Sequence, residues 1–119
     1  MSKTTMIVDD SRVSRMLIKS MITNNHGDWN IIEAGSGDEA IALNADSVDF
    51  FSIDLNMPGM DGFELIEKLK PLFPAAKFAL MTANIQDAIR QRCAALDIRF
   101  INKPITEDSI AVMLEYFNG

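Results

Sequence analysis

The sequence predicts an α/β fold with a parallel sheet, and two observations support this prediction. Apolar runs alternate with helical patterns five times along 119 residues, the length of one ordinary domain. Four of the apolar runs lead directly into polar or charged side chains, and the carboxyl ends of parallel strands share one edge of a sheet. We therefore expect these side chains to meet at a single site. They are Asp9, Asp10, Asp54, Thr82 and Lys103.

Composition and charge exclude several classes of protein. Hydrophobic residues make up 48% of the chain and charged residues 24%, which is typical of a globular domain. The net charge of -6 disfavours direct binding to nucleic acid or to an anionic membrane. No apolar run is long enough to cross a bilayer, and the N-terminus lacks a secretory signal. Because the single cysteine, Cys93, cannot form an internal disulfide, we expect a cytoplasmic protein.

The first strand and helix are predicted from an apolar run and a capping residue. Residues 4–9 form the strand, and Ser11 is a suitable N-cap for a helix that continues to about residue 25. Turn-forming residues at 24–28 end this helix. The helical spacing of apolar residues predicts that its buried face consists of Val13, Met16, Leu17 and Met21.

The second and third strands are predicted at residues 29–34 and 48–54. The second ends without an ionisable group at its last position, which suits a strand at the edge of the sheet. Between the two strands, Ser36 and Glu39 form a capping-box pattern for a helix that continues to about residue 46. The third strand ends on Asp54, and the residues that follow it are typical of a loop.

Three helices and two strands complete the prediction. Asp61 caps a helix that runs toward Leu69, and residues 77–82 form the fourth strand. A helix at about residues 85–96 follows, and its predicted inner face contains Ile85, Ala88, Ile89 and Arg92. The fifth strand ends at Lys103, and Thr106 caps the last helix. The inner face of that helix is predicted to contain Ile110, Met113, Leu114 and Phe117.

These motifs resemble the receiver domain of two-component response regulators, in particular the single-domain, chemotaxis-regulator-like members. The resemblance covers nearly the whole chain and includes the acidic pair, the segment from Asp54 to Gly62, Thr82-Ala83 and Lys103-Pro104. It implies a flavodoxin-like (βα)5 three-layer sandwich with a five-stranded parallel sheet in the order 2-1-3-4-5. We also expect residues 1–119 to form one receiver domain, with no output domain after the last predicted helix.

The acidic residues predict a site for a divalent cation. Asp9, Asp10 and Asp54 would repel one another at close range, which raises carboxyl pKa values unless a cation is bound. An all-oxygen set of ligands suits Mg²⁺. The resemblance implies that the main-chain carbonyl of Asn56 is a further ligand.

The resemblance also assigns a role to each remaining site residue. Asp54 is expected to attack a phosphoryl group and form an acyl phosphate, with Lys103 and Thr82 contacting the phosphoryl oxygens. Thr82 and Phe100 are expected to act as a switch, in which Thr82 moves toward the phosphoryl group and Phe100 turns inward. Phe100 lacks the hydroxyl of the tyrosine that is frequent there in the family. The Lys103-Pro104 bond is expected to be cis, as in the family.

The expected partners follow from the same resemblance. The phosphoryl donor would be a phosphohistidine on a histidine kinase or a histidine phosphotransfer protein, and water would slowly remove the phosphoryl group. A downstream protein would bind to the face formed by the fourth helix, fifth strand and fifth helix. Candidate surface residues on that face are Gln86, Arg90, Arg99 and Asn102.

Three alternatives were compared with this interpretation. A flavodoxin would bind phosphate in the loop after the first strand, where Asp9 and Asp10 would repel it. A phosphatase of the haloacid dehalogenase type needs a second Asp two residues after the nucleophile, and this chain has Asn56 there. The remaining alternative is a receiver-fold interaction module that works without phosphorylation.

Overall fold

Five parallel strands form one sheet in the computed structural model, which describes residues 2–119. The order of the strands across the sheet is β2-β1-β3-β4-β5, as predicted, so β2 lies at an edge. Each strand lies within one or two residues of its predicted bounds. The strands are β1 (Thr4–Val8), β2 (Asn30–Ala34), β3 (Phe50–Asp54), β4 (Lys77–Thr82) and β5 (Arg99–Asn102).

Five helices alternate with the strands and cover both faces of the sheet. They are α1 (Arg12–Asn25), α2 (Gly37–Ala42), α3 (Gly62–Leu69), α4 (Asp87–Ala95) and α5 (Glu107–Asn118). Within residues 2–119, no helix combines the length and the apolar character needed to cross a lipid bilayer. The predicted fold class, a three-layer α/β sandwich of the flavodoxin type, is confirmed.

The hydrophobic core has two halves, one on each face of the sheet. Met6 and Val8 of β1 face the half that contains α2, α3 and α4, whereas Ile7 faces the half that contains α1 and α5. This alternation follows from the two-residue period of a strand. Because both faces are covered, β1 and β3 are buried along nearly their whole length, as expected for central parallel strands.

Side-chain caps start four of the helices at the predicted residues. Ser11, Ser36 and Asp61 each accept a hydrogen bond from the main-chain N–H three residues later. Thr106 does the same with Ser109, whose hydroxyl in turn accepts from the N–H of Thr106. These caps fix where α1, α3 and α5 begin, and therefore where the loops at the carboxyl edge of the sheet end.

The predicted buried face of α1 is wrong in three of its four residues. Val13, Met16 and Leu17 are exposed, by 66%, 59% and 44%. The buried residues are Ile18 and Ile22, which pack on the sheet and on α5. The helix contains two apolar stripes, and helical periodicity cannot decide which of them faces the sheet.

Two further helix predictions need correction. Helix α2 ends at Ala42 rather than near residue 46, because Leu43 is the C-cap and Asn44 adopts a left-handed backbone with φ of 47°. In α4 the one fully buried residue is Cys93. Ile89 is half-buried, whereas the other three residues of the predicted face, Ile85, Ala88 and Arg92, are exposed. The inner face of α5 is as predicted.

Candidate functional site

The carboxyl ends of β1, β3 and β5 bring three carboxylates and one ammonium group together. Asp9 and Asp10 follow β1, Asp54 ends β3, and Lys103 follows β5. One carboxylate oxygen from each of the three aspartates lies within 4.8 Å of the others. Lys103 Nζ lies 3.0 Å from Asp54 Oδ1 and 3.7 Å from Asp9 Oδ2. The parallel topology therefore places the sequence-predicted charges around one point.

Burial sets the electrostatics of Asp54 and Lys103. Burial raises the pKa of the Asp54 carboxyl above its ordinary value, while the hydrogen bond from Lys103 partly opposes that rise. For Lys103, burial alone would lower the pKa, but the hydrogen bond and the charge of Asp54 raise it above its usual value. Lys103 is therefore protonated at neutral pH and stabilises negative charge on Asp54.

Asp9 is held by its neighbours and leaves one carboxylate oxygen without a hydrogen bond. Its main-chain N–H donates to the carbonyl of Ala34 at 3.1 Å, and its Oδ1 accepts from the N–H of Ser11 at 2.9 Å. Oδ2 is buried and has no hydrogen-bond partner among the described residues. Burial raises the pKa of the Asp9 carboxyl, because removal from water disfavours the ionised form.

The chemistry of these three aspartates fits a hard divalent cation. All ligand atoms are carboxylate oxygens, and the buried Oδ2 of Asp9 is directed toward the other charges of the site. Asp10, in contrast, is exposed and leaves one side of the cluster open to solvent. An open, all-oxygen group of ligands is the kind of site in which Mg²⁺ keeps several waters.

Thr82 lies at the same edge, at the end of β4. It is fully buried, and its Oγ1 accepts a hydrogen bond from the N–H of Asn84 at 3.0 Å. Its predecessor Met81 lies beside Asp54 in the parallel register, so Thr82 is one residue beyond Asp54 on the neighbouring strand. In this conformation the Thr82 hydroxyl accepts a hydrogen bond from the loop that follows β4, and its own proton is available for donation.

Asn56 and Phe100 are the remaining predicted site residues. Asn56 is exposed in the loop after β3. Phe100, on β5, is half-buried against the core, and the guanidinium carbon of Arg90 lies 4.5 Å from the centre of its ring. The Lys103-Pro104 peptide bond is cis.

Close packing holds the loop between Asp54 and α3. The N–H of Gly62 donates to the carbonyl of Leu55 at 3.0 Å. A Cβ atom at Gly62 would lie 2.6 Å from the main-chain oxygen of Asp54 and 2.7 Å from Cδ1 of Leu80. Only glycine can approach the backbone of Asp54 this closely. Met57 is buried in the same loop, so the segment after Asp54 has a fixed position.

Sequence reasoning missed Arg15 and Glu33. Arg15, on α1, donates from Nη1 to the main-chain carbonyl of Asp9 at 2.6 Å and from Nε to Glu33 at 3.1 Å. One signal was present in the sequence. A cation in the first turns of a helix opposes the helix dipole, so a basic residue there suggests a specific partner.

The sequence profile of the response regulator receiver domain matches residues 5–115. The chain belongs to the response-regulator receiver family. It is 34% identical to chemotaxis protein CheY of Listeria monocytogenes, over 92% of this chain and 93% of that protein. Receiver domains of this family act in two-component phosphorelay signalling.

Other relatives are larger, and one solved structure shows the fold. A segment of the sensor protein EvgS of Escherichia coli is 31% identical over 92% of this chain but only 9% of that protein. The chain spans less than half the length of the first curated relatives it matches. The structure of chemotaxis response regulator CheY4 of Vibrio cholerae matches with a TM-score of 0.85 over 98% of this chain and 99% of that one. At 21% identity, this match supports the fold alone.

Proposed function

We propose that residues 1–119 act as one receiver domain in which Asp54 accepts a phosphoryl group from a phosphohistidine. The observation that supports this most strongly is the pairing of Asp54 with Lys103 beside two further carboxylates. An oxygen of Asp54 would attack phosphorus as the bond from phosphorus to the histidine nitrogen breaks, giving an acyl phosphate and a free imidazole. Lys103 would then contact a phosphoryl oxygen, and the Thr82 hydroxyl would donate to another.

Magnesium would be held by Asp9, Asp10, Asp54 and the main-chain carbonyl of Asn56. When bound, it would reduce the repulsion between the negative phosphoryl group and the carboxylates. The protein residues would bind and orient the reacting groups. Asp9 is already fixed by Ala34 and Ser11, and Lys103 is directed at Asp54. Apart from its own phosphorylation and slow dephosphorylation by water, the domain would catalyse no reaction.

We further propose that Thr82 and Phe100 transmit the modification to the surface. If Thr82 moved toward a phosphoryl group on Asp54, it would leave space beside β5 into which the half-buried ring of Phe100 could turn. Arg90 now covers that ring and would have to release it. The change would therefore alter the face formed by α4, β5 and α5, where Gln86, Arg90, Arg99 and Asn102 are all exposed.

The partners would be a histidine kinase or a histidine phosphotransfer protein on one side and a downstream protein on the other. The match to a segment of a sensor protein supports a link to kinases. The downstream protein would bind the face formed by α4, β5 and α5. A shallow groove on that face, lined by Arg90, Phe100, Asn102 and Val112 among others, provides an apolar floor with charged edges.

Intact-mass measurement after incubation with acetyl phosphate or phosphoramidate tests this proposal. The wild type and Asp54→Asn are each incubated with Mg²⁺ and with chelator. We expect one added phosphoryl group on the wild type that requires Mg²⁺, is lost in base and is absent from the variant. A wild type that stays unmodified with both donors would favour the interaction module that works without phosphorylation. Modification of Asp54→Asn would show that another residue is the acceptor.

A further inference from the structure

Arg15 connects the acidic pair to the edge strand of the sheet. Its Nη1 donates to the main-chain carbonyl of Asp9 at 2.6 Å, and its Nε donates to Glu33 Oε1 at 3.1 Å. The side chain is only 17% exposed, so these two contacts are its main polar interactions. Lys19 Nζ lies 3.8 Å from the other oxygen of Glu33. Glu33 therefore has its one hydrogen bond in this group with Arg15, which it orients toward Asp9, and Lys19 is a more distant, exposed ion-pair partner.

The carbonyl that Arg15 binds belongs to the peptide unit between Asp9 and Asp10. A peptide unit is planar, so fixing its oxygen sets the direction in which the chain leaves Asp9 and enters Asp10. The N–H of Asp9 and its Oδ1 are held by other partners, namely Ala34 and Ser11. Arg15 therefore supplies the contact that fixes the side of Asp9 facing Asp10.

We infer that Arg15 is a positioning residue for the acidic pair. By holding the peptide between Asp9 and Asp10, it keeps both carboxylates directed toward Asp54, and Glu33 keeps Arg15 in place. This inference rests on the proposed function, because it assigns Arg15 a role in forming the Mg²⁺ site. Arg15 would not itself contact the metal or the phosphoryl group.

Charge and position predict opposite effects when Arg15 is removed. The guanidinium is positive and close to the carboxylates, so by charge alone its loss would strengthen Mg²⁺ binding. If Arg15 instead positions Asp9 and Asp10, its loss should weaken binding, although the site becomes more negative. Substitution of residues that orient metal ligands typically costs about 10- to 100-fold in metal affinity. The sign of the change therefore distinguishes the two effects.

Calorimetric titration with Mg²⁺ alone measures that sign. The full chain is compared as wild type, Arg15→Met, Arg15→Lys, Glu33→Gln and Arg12→Met. We expect Arg15→Met to bind Mg²⁺ at least about 10-fold more weakly and Arg15→Lys to recover part of the loss. Glu33→Gln should give a smaller loss. Arg12 is exposed at the start of the same helix, so Arg12→Met controls for the loss of one positive charge and should bind as tightly as the wild type or slightly more tightly.

Melting in chelator shows that each variant is folded before it is titrated. A folded Arg15→Met that binds Mg²⁺ as tightly as the wild type, or more tightly, would overturn the inference and leave the proposed function intact. If the wild type itself fails to bind Mg²⁺, the metal site and the inference both fall. Should Arg15→Met not fold, Arg15→Lys and Glu33→Gln decide, and wild-type affinity in both would overturn the role of Arg15.

Discussion

Lys103 Nζ reaches across β4 to lie 3.0 Å from Asp54 Oδ1. The two residues come from strands that are not neighbours, so the contact depends on the whole central part of the sheet. It places a cation against a carboxylate that is only 6% exposed. A buried carboxylate with one strong cationic partner is well prepared to accept a second negatively charged group, provided that the partner can share its hydrogen bonds.

Replacing Lys103 by methionine should slow phosphorylation of Asp54. The variant loses a charge-assisted hydrogen bond of about 1.5–3 kcal/mol, which corresponds to a rate about 10- to 100-fold lower if the contact is made to the phosphoryl group in the transition state. The pKa of Asp54 should also rise further, because burial would no longer be opposed. Intact mass against time with acetyl phosphate, at several pH values, measures both effects.

A matched control for this variant is Lys68→Met, which removes an exposed lysine on α3. It should be phosphorylated at the wild-type rate. If Lys103→Met were also phosphorylated at that rate, the ion pair with Asp54 would have no part in the transfer.

Neutralising the acidic pair should stabilise the metal-free protein. Burial, and to a smaller degree the charge of Asp10, raise the pKa of Asp9. We expect Asp9→Asn and Asp10→Asn each to increase the free energy of unfolding in chelator by about 0.5–2 kcal/mol, and therefore to raise the melting temperature. The gain should be larger at Asp9, because that residue is buried and Asp10 is exposed. Burial therefore contributes more to this effect than the mutual repulsion that the sequence suggested.

The stabilisation expected for Asp9→Asn should depend on pH in one direction. The pKa of Asp9 is above 3.8 in the folded state, so between 3.8 and that higher value the folded protein binds more protons than the unfolded chain. The contribution of Asp9 to stability therefore falls as pH rises through this window. Melts in chelator should show the gain of Asp9→Asn in full above the window and none below it. Asp46→Asn, at an exposed residue, is the control; an equal gain there would argue against a strained site.

The ends of these strands could be predicted from the sequence because a polar or charged residue directly follows each apolar run. Asp54, Thr82 and Lys103 follow apolar runs directly, and parallel topology then determines which edge they share. The order of the strands, in contrast, does not follow from the pattern alone, because five such strands can be arranged in several ways. The resemblance to a family was needed to choose one order.

Long-range contacts were beyond the reach of the sequence pattern. Arg15 and Glu33 are 18 residues apart. A basic residue in the first turns of α1 suggests some partner, but the sequence does not indicate that this partner is Glu33. Leu17 and Ile18 are adjacent apolar residues of α1, and only the packing of this helix against the sheet and α5 determines that Ile18 is the buried one. By sequence alone, Gly62 is typical of a turn, whereas the structure shows that its small size lets α3 approach Asp54.

Gly62→Ala should therefore disturb both the fold and the site. The new Cβ would lie 2.6 Å from the main-chain oxygen of Asp54 and 3.0 Å from the Cα of Leu55, and these main-chain atoms leave it little room to move. We expect a loss of about 1–3 kcal/mol in the free energy of unfolding, together with slower phosphorylation of Asp54. Urea denaturation and intact mass measure these two effects.

Gly27→Ala serves as the control for Gly62→Ala, because the nearest atom to its new Cβ would be at an ordinary distance of 3.6 Å. Its effect on stability should be within about 0.5 kcal/mol. Equal stabilities of the two variants would mean that the loop after Asp54 can relax away from α3.

Lys77→Met should loosen the C-terminal turn of α5. Lys77 Nζ, at the start of β4, donates to the main-chain carbonyls of Tyr116 at 3.0 Å and Phe117 at 3.2 Å. Helix α5 has no basic residue in its own last turn, so Lys77 supplies the positive charge that suits the negative end of the helix dipole. Because the lysine is half-buried, we expect a loss of about 1–2 kcal/mol in the free energy of unfolding.

Hydrogen exchange locates the effect of Lys77→Met within the molecule. Exchange should accelerate at the amides of the last turn of α5, while β1 and β3 change only as much as global stability does. Lys77→Arg should keep most of the stability, because it retains the charge and the donors. Uniform acceleration across the sheet in Lys77→Met, with no excess in α5, would mean that Lys77 stabilises the fold by burial of its aliphatic chain rather than by capping the helix.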